Sequence, residues 1–138
     1  LKRFQEHCLA AYQSYTAILH AQGKRVGSHT DGDVRSLLGL LRESGLDVCE
    51  SFSPQPLTDC TFEEAWKAWE GKPLIWGGIP SPLLEESVSE QAYRDQVQRL
   101  LETVGNDPVI FGVVDLFLRH NSIERVEYFS WKLENQPI

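Results

Sequence analysis

The chain has 138 residues, 41% of them hydrophobic and 24% charged, which is the composition of an ordinary globular domain. Its net charge of −7, with no run of Lys or Arg, argues against binding to nucleic acid or to an anionic membrane surface. No apolar stretch approaches the ~20 residues of a membrane span. Three cysteines without a recognisable spacing favour a reducing compartment over a disulfide scaffold. We therefore expect a cytoplasmic protein with a single domain over residues 1–138.

Hydrophobic periodicity predicts an N-terminal helix followed by four strand–helix units. The first helix covers 2–22 and ends at Gly23, and the next begins after Asp33, a plausible N-cap. Thr61 and Glu64 form a capping-box signature at the start of the third. The predicted strands cover 24–29, 46–51, 73–79 and 109–115. The predicted helices after them cover 34–44, about 61–70, about fifteen residues from Ser89, and 122–133.

The predicted strands are short and apolar instead of alternating between apolar and polar residues. That pattern is typical of a parallel sheet covered by helices, so the sequence predicts an α/β fold with parallel strands. A complete eight-stranded barrel needs about 250 residues, whereas four strand–helix units match half of one. We therefore expect half of a (β/α)₈ TIM barrel, an N-terminal helix followed by four βα units.

Polar side chains stand at the predicted carboxyl ends of three strands. They are His29 and Asp31 after the first strand, Glu50 at the second and Asp115 at the fourth. Functional groups of parallel α/β proteins gather at this edge of the sheet. One imidazole and three carboxylates suit a divalent cation or an acid–base cluster. The structural alternative is that Asp31 and Asp115 cap helices and that His29 satisfies loop backbone.

Other residues are weaker candidates for the same site. Asp31 and His120, which follows the last strand, are the candidate catalytic groups. Gly77 and Gly78 would let a cofactor approach the backbone closely, or would simply form a tight exit from the third strand. For two further residues the sequence predicts a position but no function. His20 should lie on a helix surface, and Cys60 in an exposed loop.

Five short motifs, in this order, resemble the C-terminal half of the uroporphyrinogen decarboxylase superfamily, which includes corrinoid-linked methyltransferases. The resemblance covers nearly the whole chain. The motifs are His-Thr-Asp-Gly at 29–32, Gly-Leu-Asp at 45–47, Pro-Gln-Pro at 54–56, Trp-Gly-Gly-Ile-Pro at 76–80 and Gly-Val-Val-Asp at 112–115.

The resemblance implies a (β/α)₈ barrel and a metal-dependent methyl transfer of the corrinoid and thiol type, with the corrinoid supplied by a partner. Zinc-dependent members, and the similar cobalamin-independent methionine synthases, hold zinc through a His-x-Cys pair and a later Cys, and the methionine synthases add a Glu. By this resemblance His29 matches the histidine, Asp31 and Asp115 the two cysteines, and Glu50 the glutamate. Carboxylates in place of both thiolates imply zinc or a harder ion.

A half barrel needs a partner, because its two sheet edges and inner face would otherwise be open. We expect a homodimer or a separate N-terminal half-barrel. The sequence contains no Met, so an initiator has been removed or left out, or the chain is a fragment. Two other functions stay open: a non-catalytic half-barrel that self-associates or complements a missing half, and a fragment of a porphyrinogen decarboxylase, a lyase.

Overall fold

The computed structural model describes residues 1–135 and has an α/β fold in which helices connect parallel strands. The strands are β1 (Gly27–His29), β2 (Val48–Phe52), β3 (Leu74–Pro80) and β4 (Val109–Val114). The helices are α1 (Lys2–His7), α2 (Leu9–Ala21), α3 (Leu38–Glu43), α4 (Phe62–Trp69), α5 (Glu90–Val104) and α6 (Ile123–Asn135). Over this part of the chain, no helix has both the length and the apolar character needed to span a membrane.

The four strands form one sheet in the order β1-β2-β3-β4, and every pair is parallel. This arrangement confirms the predicted α/β class and the parallel sheet. The main core lies between one face of the sheet and the helices, because apolar side chains from both fill that layer. Its largest fully buried members include Phe52, Phe62, Trp69, Ile75 and Tyr93.

The opposite face of the sheet is open in the part of the chain that the structure describes. His29, Glu50, Trp76 and Ile110 are register partners across the four strands and form one row on this face. Trp76 is 44% exposed and Ile110 is 41% exposed. Parallel sheets are generally covered on both faces, so an open apolar face is unusual for this type of sheet.

The helix boundaries follow the sequence except at two places near the N-terminus. The single helix predicted over 2–22 is divided at Cys8, which ends α1 and begins α2. The helix predicted over 34–44 is a 3-10 turn over Arg35–Leu37 followed by α3, and Asp33 does not cap it, because its carboxylate accepts a hydrogen bond from the Asp59 amide instead. By contrast, the capping box of Thr61 and Glu64 at the start of α4 is confirmed.

Cys60 is buried, which contradicts the exposed position expected from its loop. The residue has 0% exposure and lies in the main core. Burial raises the pKa of its thiol to about 11. The thiol is therefore protonated near neutral pH and acts as a small apolar group.

Asp47 fixes the amino-terminal ends of three strands to one another. Its buried carboxylate lies 2.6 Å from His20 Nε2, 3.2 Å from Arg25 Nη1 and 2.8 Å from Lys72 Nζ, and it accepts a hydrogen bond from the Val26 amide at 2.8 Å. Burial raises the pKa of Asp47, but the hydrogen bonds from Lys72, His20 and Val26 outweigh it and hold the pKa well below its usual value. His20, expected on a helix surface, thus belongs to a structural cluster.

We predict that Asp47→Asn lowers the free energy of unfolding by about 2 kcal/mol at pH 7, because the cations around it lose their counter-charge. A carboxylate with a depressed folded-state pKa stabilises the fold above its unfolded pKa, near ~4, and loses that effect as the pH falls further. The difference between wild type and variant should therefore keep nearly its full size from pH 7 to about pH 5 and narrow as the pH falls further towards about 3. Urea denaturation measures it, with the exposed Asp107→Asn as the control. A constant difference across this range would contradict the role of Asp47.

Candidate functional site

His29, the last residue of β1, is joined to Glu50, which lies inside β2 and not at its end as predicted. They are register partners on β1 and β2, and His29 Nδ1 lies 2.7 Å from Glu50 Oε2. Both side chains are reached by solvent, at 50% exposure for His29 and 33% for Glu50. The carboxylate fixes the orientation of the ring, and the opposite nitrogen, Nε2, is turned towards two acidic side chains.

Asp31 and Asp115 provide those acidic side chains. His29 Nε2 lies 3.8 Å from Asp31 Oδ1 and 3.9 Å from Asp115 Oδ1. One ligand atom from each of the three residues lies within 4.8 Å of the others. Asp31 follows β1 and Asp115 follows β4, so groups far apart in the sequence meet at one rim of the sheet.

Three ligand atoms of this kind could hold one cation. A tetrahedral zinc ion with bonds of about 2.1 Å holds its ligand atoms roughly 3.4 Å apart, so small side-chain rotations would bring these three atoms onto one ion. Three protein ligands leave a further position for water or substrate. Glu50, expected as a fourth ligand, contacts Nδ1 of His29 here. In metal sites such a carboxylate orients the histidine ligand and increases its basicity.

The acidic surroundings favour the protonated form of His29. The hydrogen bond with Glu50 raises the pKa of His29 most, desolvation opposes it, and the charges of Glu50, Asp31 and Asp115 raise it further. A cation bound at Nε2 would relieve the same negative charge. The cluster is thus suited to a proton at low pH or to a metal ion at higher pH.

Ser51 is a site residue that sequence analysis did not identify. Its buried hydroxyl accepts a hydrogen bond from the Asp115 amide at 2.8 Å and thereby links the end of β2 to the end of β4. Both residues have a positive φ, 63° for Ser51 and 70° for Asp115. Non-glycine residues in this region are strained, and such strain is concentrated at functional sites. No sequence motif marks Ser51, because its partner is 64 residues away.

The remaining predicted site residues lie elsewhere. Gly77 and Gly78 are buried, and a Cβ atom at Gly77 would stand 2.1 Å from the Phe52 carbonyl oxygen. A Cβ atom at Gly78 would meet the ring of Phe111 at 3.2 Å. Close packing therefore accounts for both glycines.

His120 is exposed and lines a depression of about 490 Å³ on the outside of the fold. Its neighbours there include Arg119, Asn121, Glu86 and Glu90. The three-ligand cluster does not include it. A catalytic role for His120 stays a prediction.

No protein-family model, curated protein or solved structure matches this chain. The chemistry of the site therefore follows from its own residues and from the parallel sheet that holds them.

We predict that Glu50→Gln lowers the pKa of His29 towards its ordinary value, because the carboxylate that stabilises the imidazolium is removed. Asp31→Asn should lower it less, since Asp31 acts through charge alone. The titration of the His29 ring protons by NMR measures both shifts. An unchanged midpoint in Glu50→Gln would contradict the hydrogen bond.

We predict that Asp115→Gly stabilises the fold by about 1 kcal/mol, because glycine adopts a positive φ without strain. Thermal unfolding of the metal-free protein measures this. Asp107→Gly is the matched control and should not be stabilising, because Asp107 is exposed and does not have a positive φ. A lower melting temperature for Asp115→Gly would contradict this prediction. It would show that the Asp115 side chain stabilises the fold, so that stability alone accounts for an aspartate at a positive φ.

Proposed function

We propose that this chain is the C-terminal half of a (β/α)₈ barrel of the uroporphyrinogen decarboxylase type, and that His29, Asp31 and Asp115 bind a divalent metal ion that serves methyl transfer or a related lyase step. The observation that carries the metal site is the meeting of His29 Nε2 with a carboxylate oxygen from each aspartate at one rim. The half-barrel is supported by the four consecutive parallel strands and the single helical layer.

The donor set determines which ions fit. One imidazole nitrogen and two carboxylate oxygens suit zinc, manganese or ferrous iron better than a soft, thiolate-seeking ion. Such an ion lowers the pKa of a bound thiol or water and so supplies a nucleophile at neutral pH. In this chain Glu50 would keep the ring in position, and the Ser51 hydroxyl, which accepts a hydrogen bond from the Asp115 amide, would hold the backbone of Asp115 in place.

The reaction class rests on the motif resemblance in the sequence. A methyl transfer of this type would use a corrinoid presented by a partner and a thiol acceptor. The porphyrinogen decarboxylase alternative has less support, because the substrate-binding arginines and aspartate of that activity belong to the N-terminal half of the superfamily. No residue of this chain takes those roles.

A non-catalytic half-barrel is the second candidate, and the open sheet face favours it. Trp76 and Ile110 are exposed on the face where a complete barrel is filled with side chains. A chain whose main activity is association would retain this face without needing a metal.

We predict that the protein binds one divalent ion per site and that His29→Ala or Asp115→Asn weakens binding by at least 100-fold, since each removes a ligand. Glu50→Gln should weaken it by about tenfold, as expected for a residue that only orients the histidine. Affinity should fall as the pH is lowered through the raised pKa of His29, because protons compete for Nε2. Isothermal titration calorimetry with zinc and manganese measures all three effects.

Asp107→Asn is the control, because it removes one exposed carboxylate outside the cluster and leaves the three ligands in place. It should bind like wild type. Equal affinity of wild type and Asp115→Asn, or no binding of either ion, would refute the metal site and leave the non-catalytic half-barrel.

A further inference from the structure

We propose that a second copy of this chain covers the open face of the sheet, so that two (β/α)₄ halves close into one eight-stranded barrel about a two-fold axis. This inference rests on the half-barrel part of the proposed function and is independent of metal binding. Four observations support it: the open face of the sheet, its two open edges, the exposed apolar side chains and the opposite charges at the two edges.

Both edges of the sheet are open in the described part of the chain. β1 pairs with β2 alone, and β4 pairs with β3 alone. A two-fold axis parallel to the barrel axis would place β1 of one copy beside β4 of the other, with both strands running in the same direction. The same contact then occurs twice, so a single copy satisfies both edges. Four and four strands give the number that closes a filled barrel.

Most of the exposed apolar side chains lie on the open face or in the segments that flank the two edges. α2 flanks β1, as the 3.0 Å contact between Tyr12 Oη and Ser28 Oγ shows, and α6 flanks β4, where Phe129 packs on Phe111. With Leu57 as the exception within residues 1–135, the large exposed apolar residues belong to the N-terminal helices, the open face, and the segment from β4 through α6. They are Leu1, Tyr15, Ile18, Trp76, Ile110, Leu116, Phe117, Leu118, Ile123 and Trp131.

The charges at the two edges are complementary. The segment before β1 is basic although the chain is acidic: it holds one acid, Glu6, against Lys2, Arg3, Lys24 and Arg25. Lys2 pairs with Glu6 and Arg25 pairs with Asp47, so Arg3 and Lys24 carry the positive charge that remains. α6, at the other edge, exposes acidic side chains at Glu124, Glu127 and Glu134.

The cations of α6 offset these acids only in part, because Arg125 pairs with Glu90 and leaves Lys132 against three exposed acids. Arg125 is buried and donates to the carbonyl oxygens of Leu83, Glu85 and Val88, and Lys132 lies 3.4 Å from Gln98. In the closed barrel the basic segment of each copy would lie beside α6 of the other. This charge match selects a second copy over an unrelated half-barrel.

We predict that the wild-type chain has a mass of about twice 15.7 kDa by light scattering. Arg3→Glu with Lys24→Glu, and separately Glu127→Lys with Glu134→Lys, should each weaken the dimer at least tenfold, because like charges then meet at both contacts. An equimolar mixture of the two variants should form a heterodimer of wild-type strength, since both contacts regain opposite charges. Native mass spectrometry distinguishes this heterodimer from either homodimer.

Lys67→Glu with Glu102→Lys is the control, because these exposed residues lie on α4 and α5, away from both edges. It should dimerise normally. A wild-type chain that stays monomeric overturns the inference, as does a dimer whose two edge variants fail to restore each other. A monomer that binds metal contradicts this inference alone, whereas a dimer that binds no metal contradicts only the metal site.

Discussion

Parallel pairing of four consecutive strands is the constraint on which the rest of the structure depends. Because every strand runs in the same direction, all four carboxyl ends reach one rim, and all four amino ends reach the other. His29, Asp31 and Asp115 therefore share one rim, and the hydrogen bond from the Asp115 amide to the Ser51 hydroxyl brings the end of β4 close to β2 and within reach of His29. The same pairing requires helical crossovers, and these cover one face and build the core.

The two ends of the sheet differ in how their charges are balanced. At the amino rim, Asp47 is buried and its negative charge is matched by His20, Arg25 and Lys72, so the cluster stabilises the fold. At the carboxyl rim, three carboxylates surround one imidazole, and two residues hold a positive φ. Perturbed charges and backbone strain of this kind are found more often at functional sites than elsewhere in proteins.

The candidate site borders the open face of the sheet, where a second copy would bind. His29 and Glu50 continue the row that Trp76 and Ile110 form across the sheet, so whatever covers the apolar part of the row also borders the polar part. Closure would reduce the access of solvent to the site and strengthen its electrostatic interactions. Binding of an ion and covering of the sheet would then act on adjacent parts of one surface.

The sequence by itself determined the α/β class, the order of elements, the capping box at Thr61 and the placement of His29, Asp31 and Asp115 at strand ends, because periodicity and capping depend on neighbours within a few positions. Only the tertiary structure decided that Glu50 contacts His29 Nδ1, that Ser51 holds Asp115, that His20 pairs with Asp47, and that Cys60 is buried. These contacts join residues on different elements, and the three-dimensional packing of those elements fixes their distances. Local sequence patterns do not predict this packing.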